Sequence, residues 1–269
     1  MTPFHFPQFD PYVFQIGGFG IRWYAIAYIA GLVLGWRIMR YLVRLTPPVA
    51  TLLQTDDFLT WATLGVVLGG RIGYILFYQP GHYLRHPLDM LVVWHGGMSF
   101  HGGAIGVAVA IVVYCRREGM PILGFADRMA IVTPVGLFFG RIANFINGEL
   151  WGRIAPPGWP GAMIYPQAGP EPRYPSELYQ AFLEGIVLFA VMWALSRRDY
   201  LRDHFGFLTG AFLCGYGIAR FIGEFFRQPD PFLNYLIAGT TMGQLLSIPM
   251  IIAGVVLMAW ARRQAPQPA

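Results

Sequence analysis

Residues 140–153, GRIANFINGELWGR, close an apolar run (129–139) that carries no charged side chain. Arg141, Asn144, Asn147, Glu149 and Arg153 crowd into that short stretch. The chemistry such groups do best is to hold an anion, because a guanidinium donates two parallel hydrogen bonds to a phosphate or carboxylate. Arg141 and Asn144 are three residues apart and share one face of a helix. Asn147-Gly148 then reads as the turn that ends the helix, with Glu149 and Arg153 just beyond it. Asn144 has a blander reading as an interhelical hydrogen bond that only holds helices together, and the two roles are compatible.

Arg22, Arg71 and Arg220 also lie within or at the edge of apolar segments. If each segment is a membrane-crossing helix, the rise of about 1.5 Å per residue turns position into depth. Each residue is counted from a polar residue at the far end of its own segment: Arg141 from Arg128, Arg71 from Asp57, Arg220 from His204, His101 from Arg116, Tyr24 from Arg37. All five then fall about 20–24 Å in, in the outer half of an apolar core about 30 Å thick. A buried Arg costs roughly 2.5–3.5 kcal/mol on insertion scales, so each needs a reason. Snorkelling accounts for Arg22. Glu224, four residues after Arg220, is a natural helical partner, and Glu184 lies at similar depth. Two carboxylates leave Arg71, Arg141, Arg220 and Arg22 with surplus positive charge, for which an anionic ligand is the simplest partner.

A second polar stretch is HGGMSFHGG (95–103). Its Gly-Gly pairs either let backbones approach closely or break a helix around a cavity. His95 reads as interfacial. His101 is deeper, and is either a structural hydrogen-bonder or a member of the arginine layer. No His, Cys, Asp and Glu cluster stands out at metal-ligand spacing, and HExxH, GxSxG and Walker patterns are absent. Neither a metal, a cofactor nor a serine nucleophile is expected.

The elements that must position these residues follow from composition. Of 269 residues, 55% are hydrophobic and 12% charged, with mean hydropathy +0.48. A soluble domain carries about 25% charged residues. The expectation is an all-α polytopic membrane protein with seven transmembrane helices, near 21–38, 58–77, 91–114, 129–145, 178–195, 205–226 and 242–260. Arg37, Arg40, Arg44, Arg116, Arg117, Arg128, Arg197, Arg198, Arg202, Arg262 and Arg263 mark one side. Only Arg85, Arg153, Arg173 and Arg227 mark the other. The positive-inside rule puts the first set and the C-terminus in the cytoplasm. Residues 1–269 then form a single membrane-embedded domain. It has an outer N-terminal arm (1–20), which lacks the basic region of a signal peptide, and a small Pro- and Gly-rich extracytoplasmic head or loop (146–176). All nineteen basic residues are Arg, dispersed rather than clustered, so no nucleic-acid partner is expected. Cys115 and Cys214 fall at different depths and are expected to be free.

These residues resemble the prolipoprotein diacylglyceryl transferase family. GRIANFINGELWGR is similar to the family signature. GGMSFHGG (96–103), YGIARFIGEFFRQPD (216–230) and MGQLLSIPM (242–250) resemble further blocks in the family's order, and the likeness runs from about Tyr24 to the last span. One block departs: the family usually shows a His before Pro-Ser and a Gln after, whereas RYPSELYQ has Tyr174 and Glu177.

The resemblance implies a multi-pass enzyme of the bacterial cytoplasmic (inner) membrane, with its N-terminus and active site toward the periplasmic side. It would take phosphatidylglycerol and a membrane-anchored preprolipoprotein, join the diacylglyceryl group to the lipobox cysteine as a thioether, and release glycerol 1-phosphate. Arg141 and Arg220 would clamp the leaving phosphate, with Asn144 as a further donor. His101 would be the general base, unless the arginine field alone stabilises the thiolate. Glu224 and Glu149 would orient arginines. Tyr24 and Arg71 would line the lipid site, and Gly152 with 146–176 would admit the lipobox peptide. A transporter for an anionic solute is the main rival, but it predicts inverted repeats, and the Gly-rich breaks at 95–103 and 146–153 do not mirror each other. A non-catalytic anionic-lipid-binding scaffold would release no phosphoglycerol.

Overall fold

A computed structural model of the chain describes residues 2–10, 12–17, 19–92, 96–229, 236 and 239–266. The chain forms two compact units, Met1–Ile38 with Asp127–Ala269, and Met39–Ala126. The long apolar helices are α1 (Trp23–Leu42), α2 (Leu52–Phe77), α3 (Phe100–Glu118), α4 (Ile122–Ile146), α5 (Ser176–Ser196), α6 (Phe207–Gly223) and α7 (Met242–Ala261). Six of them, all but α6, are long and apolar enough to cross a membrane, and α6 has 17 residues. Large apolar side chains such as Ile29, Leu64, Ile105 and Ile252 are exposed on these helices, as suits a lipid-facing surface. The chain is mostly helical and polytopic.

Helix starts are set by caps that hydropathy does not see. The second span begins at Leu52, not 58, because Thr51 and Gln54 form a capping box. The third begins at Phe100, not 91: Gly96 and Gly97 take positive φ, and Ser99 caps α3 by accepting from Gly102 N (3.2 Å). The fourth begins earlier, at Ile122, and the sixth ends earlier, at Gly223. His95 lies outside the described residues.

In the 39–126 unit, α2 and α3 pack backbone against backbone. Gly65, Gly69 and Gly73 on α2 meet Gly102 and Gly106 on α3; a Cβ on Gly65 would lie 2.8 Å from the Gly106 carbonyl oxygen, and one on Gly73 2.7 Å from Gly102 Cα. Small residues every fourth position permit this approach, and dispersion then holds the pair where lipid gives no hydrophobic drive. In the other unit Gly210 and Gly254 do the same for α6 and α7. There Asp127 on α4 caps α6 across the bundle, accepting from Gly206 N (2.8 Å), Thr209 N (2.7 Å) and Thr209 Oγ1 (2.6 Å).

The all-α expectation needs one correction: short strands form outside the helices. β1 (Phe4–His5) runs parallel to β4 (Met163–Ile164), which pairs antiparallel with β5 (Pro172–Arg173). β2 (Tyr12–Ile16) and β3 (Phe19–Arg22) make a hairpin. Prolines and glycines interrupt regular helical winding in these segments, and backbone groups there pair as strands instead. The N-terminal arm thereby joins the 146–176 segment, and Phe6 is buried against Phe145 and Tyr165. Arg22 folds onto Tyr12, donating to its hydroxyl (3.3 Å). Cys115 and Cys214 are free.

Candidate active site

The stretch that ends α4 closes as its sequence predicts. The helix stops at Ile146, Gly148 takes φ +63°, and Glu149 N donates to Asn144 O (2.9 Å). One turn earlier, Arg141 directs Nε and Nη2 at Glu184 Oε2, both at 3.0 Å. Glu184 is fully buried. It sits in a π-helical segment of α5, Ala181–Val187, a local widening that recurs at functional sites. Its neighbour Gly185 packs against Phe138 with no room for a Cβ, which brings α5 close to α4.

Glu184 is shared. Its Oε1 lies 3.7 Å from Arg220 Nη1 on α6. Arg220 Nη2 pairs with Glu224 Oε1 at 2.6 Å, and Arg227 Nη1 reaches the same oxygen at 3.5 Å. Thr241, the capping residue of α7, donates its hydroxyl to Glu224 Oε2 (2.6 Å). Gly243 leaves space for that carboxylate; a Cβ there would lie 2.8 Å from Oε1. Arg153 donates to the Glu224 and Arg227 carbonyls at 3.0 and 2.9 Å. Arg141, Glu184, Arg220 and Glu224 thus form one alternating network across three helices. Arg220 Nη1 is buried and has no hydrogen-bond partner among the described residues.

Asn144 donates to the Tyr24 hydroxyl on α1, joining two residues predicted to serve one site. Glu149 does not orient an arginine among the described residues: it is exposed and accepts from Asn147 Nδ2 (3.3 Å), because the Gly148 turn carries it past the network. Gly152 is a packing residue. It donates to the Tyr174 carbonyl (2.9 Å), and a Cβ there would lie 2.7 Å from the Phe226 carbonyl oxygen. Of the two departures from the family pattern, Tyr174 supplies that carbonyl. Glu177 is fully buried and accepts from the Tyr165 hydroxyl (3.2 Å). Burial, with the Glu177 carboxylate adding to it, pushes the Tyr165 phenol far above its ordinary range, so it stays protonated and donates.

Arg71 and His101 belong to the 39–126 unit. Arg71 does not offer a fork to a lipid. Its Nε donates to Met90 O (3.1 Å), Nη1 to Gly96 O (2.8 Å) and Gly97 O (3.2 Å), and Nη2 to Asp89 O (2.5 Å) and Val92 O (3.1 Å). A guanidinium has five N–H groups, and all are directed at backbone carbonyls. Arg71 is a clamp on the loop that leads into α3, a role the depth count could not distinguish from ligand binding. His101 is exposed on the first turn of α3.

The expectation of no metal-ligand spacing also needs correction. His82, His86 and Asp89 bring ligand atoms within 4.8 Å of one another. The signal H-x3-H-x2-D is visible in the sequence, interrupted by Pro87. One cavity of about 310 Å³ lies beside Arg71, Tyr83 and Asp89, and another of about 500 Å³ beside Arg198, Tyr200 and Arg262.

Fold and site together define a polytopic helical membrane protein with a buried arginine–carboxylate network at its helix ends. A family model described as prolipoprotein diacylglyceryl transferase matches residues 11–260. The chain is 64% identical over 263 residues to the phosphatidylglycerol–prolipoprotein diacylglyceryl transferase of Gluconacetobacter diazotrophicus, covering 98% of this chain and 94% of the relative. It is 61% identical over 264 residues to that of Acidiphilium cryptum, covering 96% and 95%, and 55% identical over 265 residues to that of Paramagnetospirillum magneticum, covering 98% of each. The chain belongs to the prolipoprotein diacylglyceryl transferase family and is a transferase. Membership of that family overrides the transporter and scaffold readings.

Proposed function

We propose that the chain moves the diacylglyceryl group of phosphatidylglycerol onto the lipobox cysteine of a membrane-anchored preprolipoprotein, with the Arg141–Glu184–Arg220 network receiving the phosphate. The cysteine sulfur forms a bond to a glycerol carbon. The bond from that carbon to the phosphate oxygen breaks, and its electron pair leaves with glycerol 1-phosphate. An alkyl phosphate departs poorly unless its growing charge is met. At about 4 Å and an effective dielectric near 20, one unit charge pair is of order 4 kcal/mol, and only the part that strengthens in the transition state speeds the reaction. The observation that carries this reading is Glu184 lying between two arginines from different helices, with Arg220 Nη1 beside it and not hydrogen-bonded among the described residues. Glu184 and Glu224 hold the guanidiniums in place before substrate arrives, which is the pre-organisation that oxyanion stabilisation needs.

Asn144, aligned by Tyr24, supplies a neutral donor beside Arg141. We assign His101 the role of taking the thiol proton, since a free thiol with a pKa near 8.5 is mostly protonated at neutral pH. All seven apolar helices cross the bacterial inner membrane, α6 with a span near the lower limit of about 17 residues. The strand-paired 146–176 segment forms an outer head with the N-terminal arm, held closed by Gly152, and the C-terminus faces the cytoplasm.

The test is transfer from phosphatidylglycerol to a lipobox peptide in reconstituted membranes, reading both thioether product and glycerol 1-phosphate. Arg141→Ala should lower the rate by about 10²- to 10³-fold while the protein remains inserted and folded; wild-type transfer would remove Arg141 from the mechanism. For His101→Gln, a rate depressed at neutral pH that recovers as pH passes the thiol's ordinary value near 8.5 supports proton abstraction by His101. A rate equal to wild type at neutral pH favours a thiolate held by the arginines alone.

A further inference from the structure

A third polar cluster lies outside the arginine network and has no part in the transfer proposed above. His82 lies on the helical turn Pro80–Arg85, His86 ends that turn, and Asp89 lies on the 3-10 turn Pro87–Leu91 that follows. His82 Nε2 is 2.9 Å from Asp89 Oδ2, and the two imidazole rings stack with centroids 5.0 Å apart. We propose that His82, His86 and Asp89 form a binding site for a divalent transition-metal ion of the zinc class.

Four observations carry this. The first is convergence: each residue offers one ligand atom and all three atoms lie within 4.8 Å. Zinc bonds of about 2.0–2.1 Å in tetrahedral geometry put ligand atoms about 3.4 Å apart, so side-chain rotation of about 1 Å closes the site. The second is exposure. The His82 and Asp89 side chains are 46% and 51% exposed, so they can rotate and the fourth position stays open to water. The third is donor chemistry. Two imidazoles and one carboxylate suit zinc and its neighbours, whereas magnesium and calcium require oxygen donors. The fourth is the position of His86. An ion pair needs only His82 and Asp89, and it gives no reason for a second imidazole to stack on the first, since two protonated rings repel.

The surroundings are compatible with a cation. Arg71 lines a cavity with His82 and Asp89, but its donors are directed at carbonyl oxygens. The metal would tie the 80–85 turn to the 87–91 turn, whose Asp89 and Met90 carbonyls Arg71 already holds. Arg85 lies between the ligands in sequence, so its peptide bond reports on the tie.

The experiment uses the untagged full chain in detergent, stripped of metal and titrated with zinc chloride by calorimetry. Saturable binding of one zinc per chain is expected, with His86→Ala and Asp89→Asn each weakening it at least tenfold and magnesium giving no signal. Zinc should also slow tryptic cleavage after Arg85 in the wild type and not in His86→Ala. Metal-free thermal unfolding of each variant, matching the wild type, separates ligand loss from misfolding. Absence of saturable binding by the wild type would overturn the proposal. So would unchanged affinity in the His82→Ala/His86→Ala double variant, which would mark the zinc as adventitious on other histidines.

Discussion

Arg71 is buried and Arg220 nearly so, both on apolar helices at nearly the same counted depth, and they are satisfied in opposite ways. Arg71 meets backbone carbonyls with every donor and stacks over Tyr83 at 5.1 Å. Arg220 meets two carboxylates and keeps one buried nitrogen without a hydrogen bond among the described residues. Carbonyl dipoles quench hydrogen-bonding capacity and fix a loop; carboxylates fix an arginine and leave it able to exchange one anion for another. Burial alone therefore does not mark a ligand site. What the donors already hold does.

Three substitutions sharpen that contrast. The largest effect on stability is expected at Glu184→Gln, which keeps volume and removes the charge between Arg141 and Arg220. Breaking one partner out of a buried ionic set costs about 3–5 kcal/mol, read as a lower unfolding temperature, with transfer falling alongside. An unchanged unfolding temperature would show that Glu184 is not the tie between the two arginines. Arg71→Ala should act on structure more than on phosphate recognition. It strands carbonyls at an expected cost of about 2–3 kcal/mol, within the range for unsatisfied buried groups, and it should open 87–92 to proteolysis. The Michaelis constant for phosphatidylglycerol in the surviving folded fraction should stay near wild type; a large rise there would return Arg71 to the lipid site. Tyr24→Phe is the smallest. It deletes the hydroxyl that accepts from Asn144, worth about 1 kcal/mol, so transfer should fall about fivefold with stability nearly unchanged.

Much of the arginine network was legible. The Asn147-Gly148 stop follows from turn chemistry, and Arg220 with Glu224 follows from helical spacing. Arg227, three residues after Glu224, and the Thr241–Gln244 capping box carried the same local signals. The parts that were not legible depend on backbone geometry that side-chain types do not encode. No residue between Ala181 and Val187 announces a π segment, so the sequence could give Glu184 a depth and no direction. The Arg71 clamp uses carbonyls, which every residue has, and so leaves no trace in composition. The start of α3 is later than hydropathy suggests because the Gly-Gly pair at 96–97 fits either a close helix contact or a break, and only its positive φ with the Ser99 cap decides for the break. His82, His86 and Asp89 stand at H-x3-H-x2-D spacing, but nothing in that spacing, with Pro87 inside it, predicts the two turns that bring the three side chains together.

The widened turn of α5 also sets a constraint on chain length. Regular winding advances about 100° per residue, so removing one residue from 181–187 would restore an ordinary helix. The wider winding holds one residue more than regular turns would, so the flanking turns would stay in phase while residues inside 181–187 moved to new directions. Glu184 would then turn away from its present partners. In this segment, substitution is a milder change than deletion, whatever the residue lost.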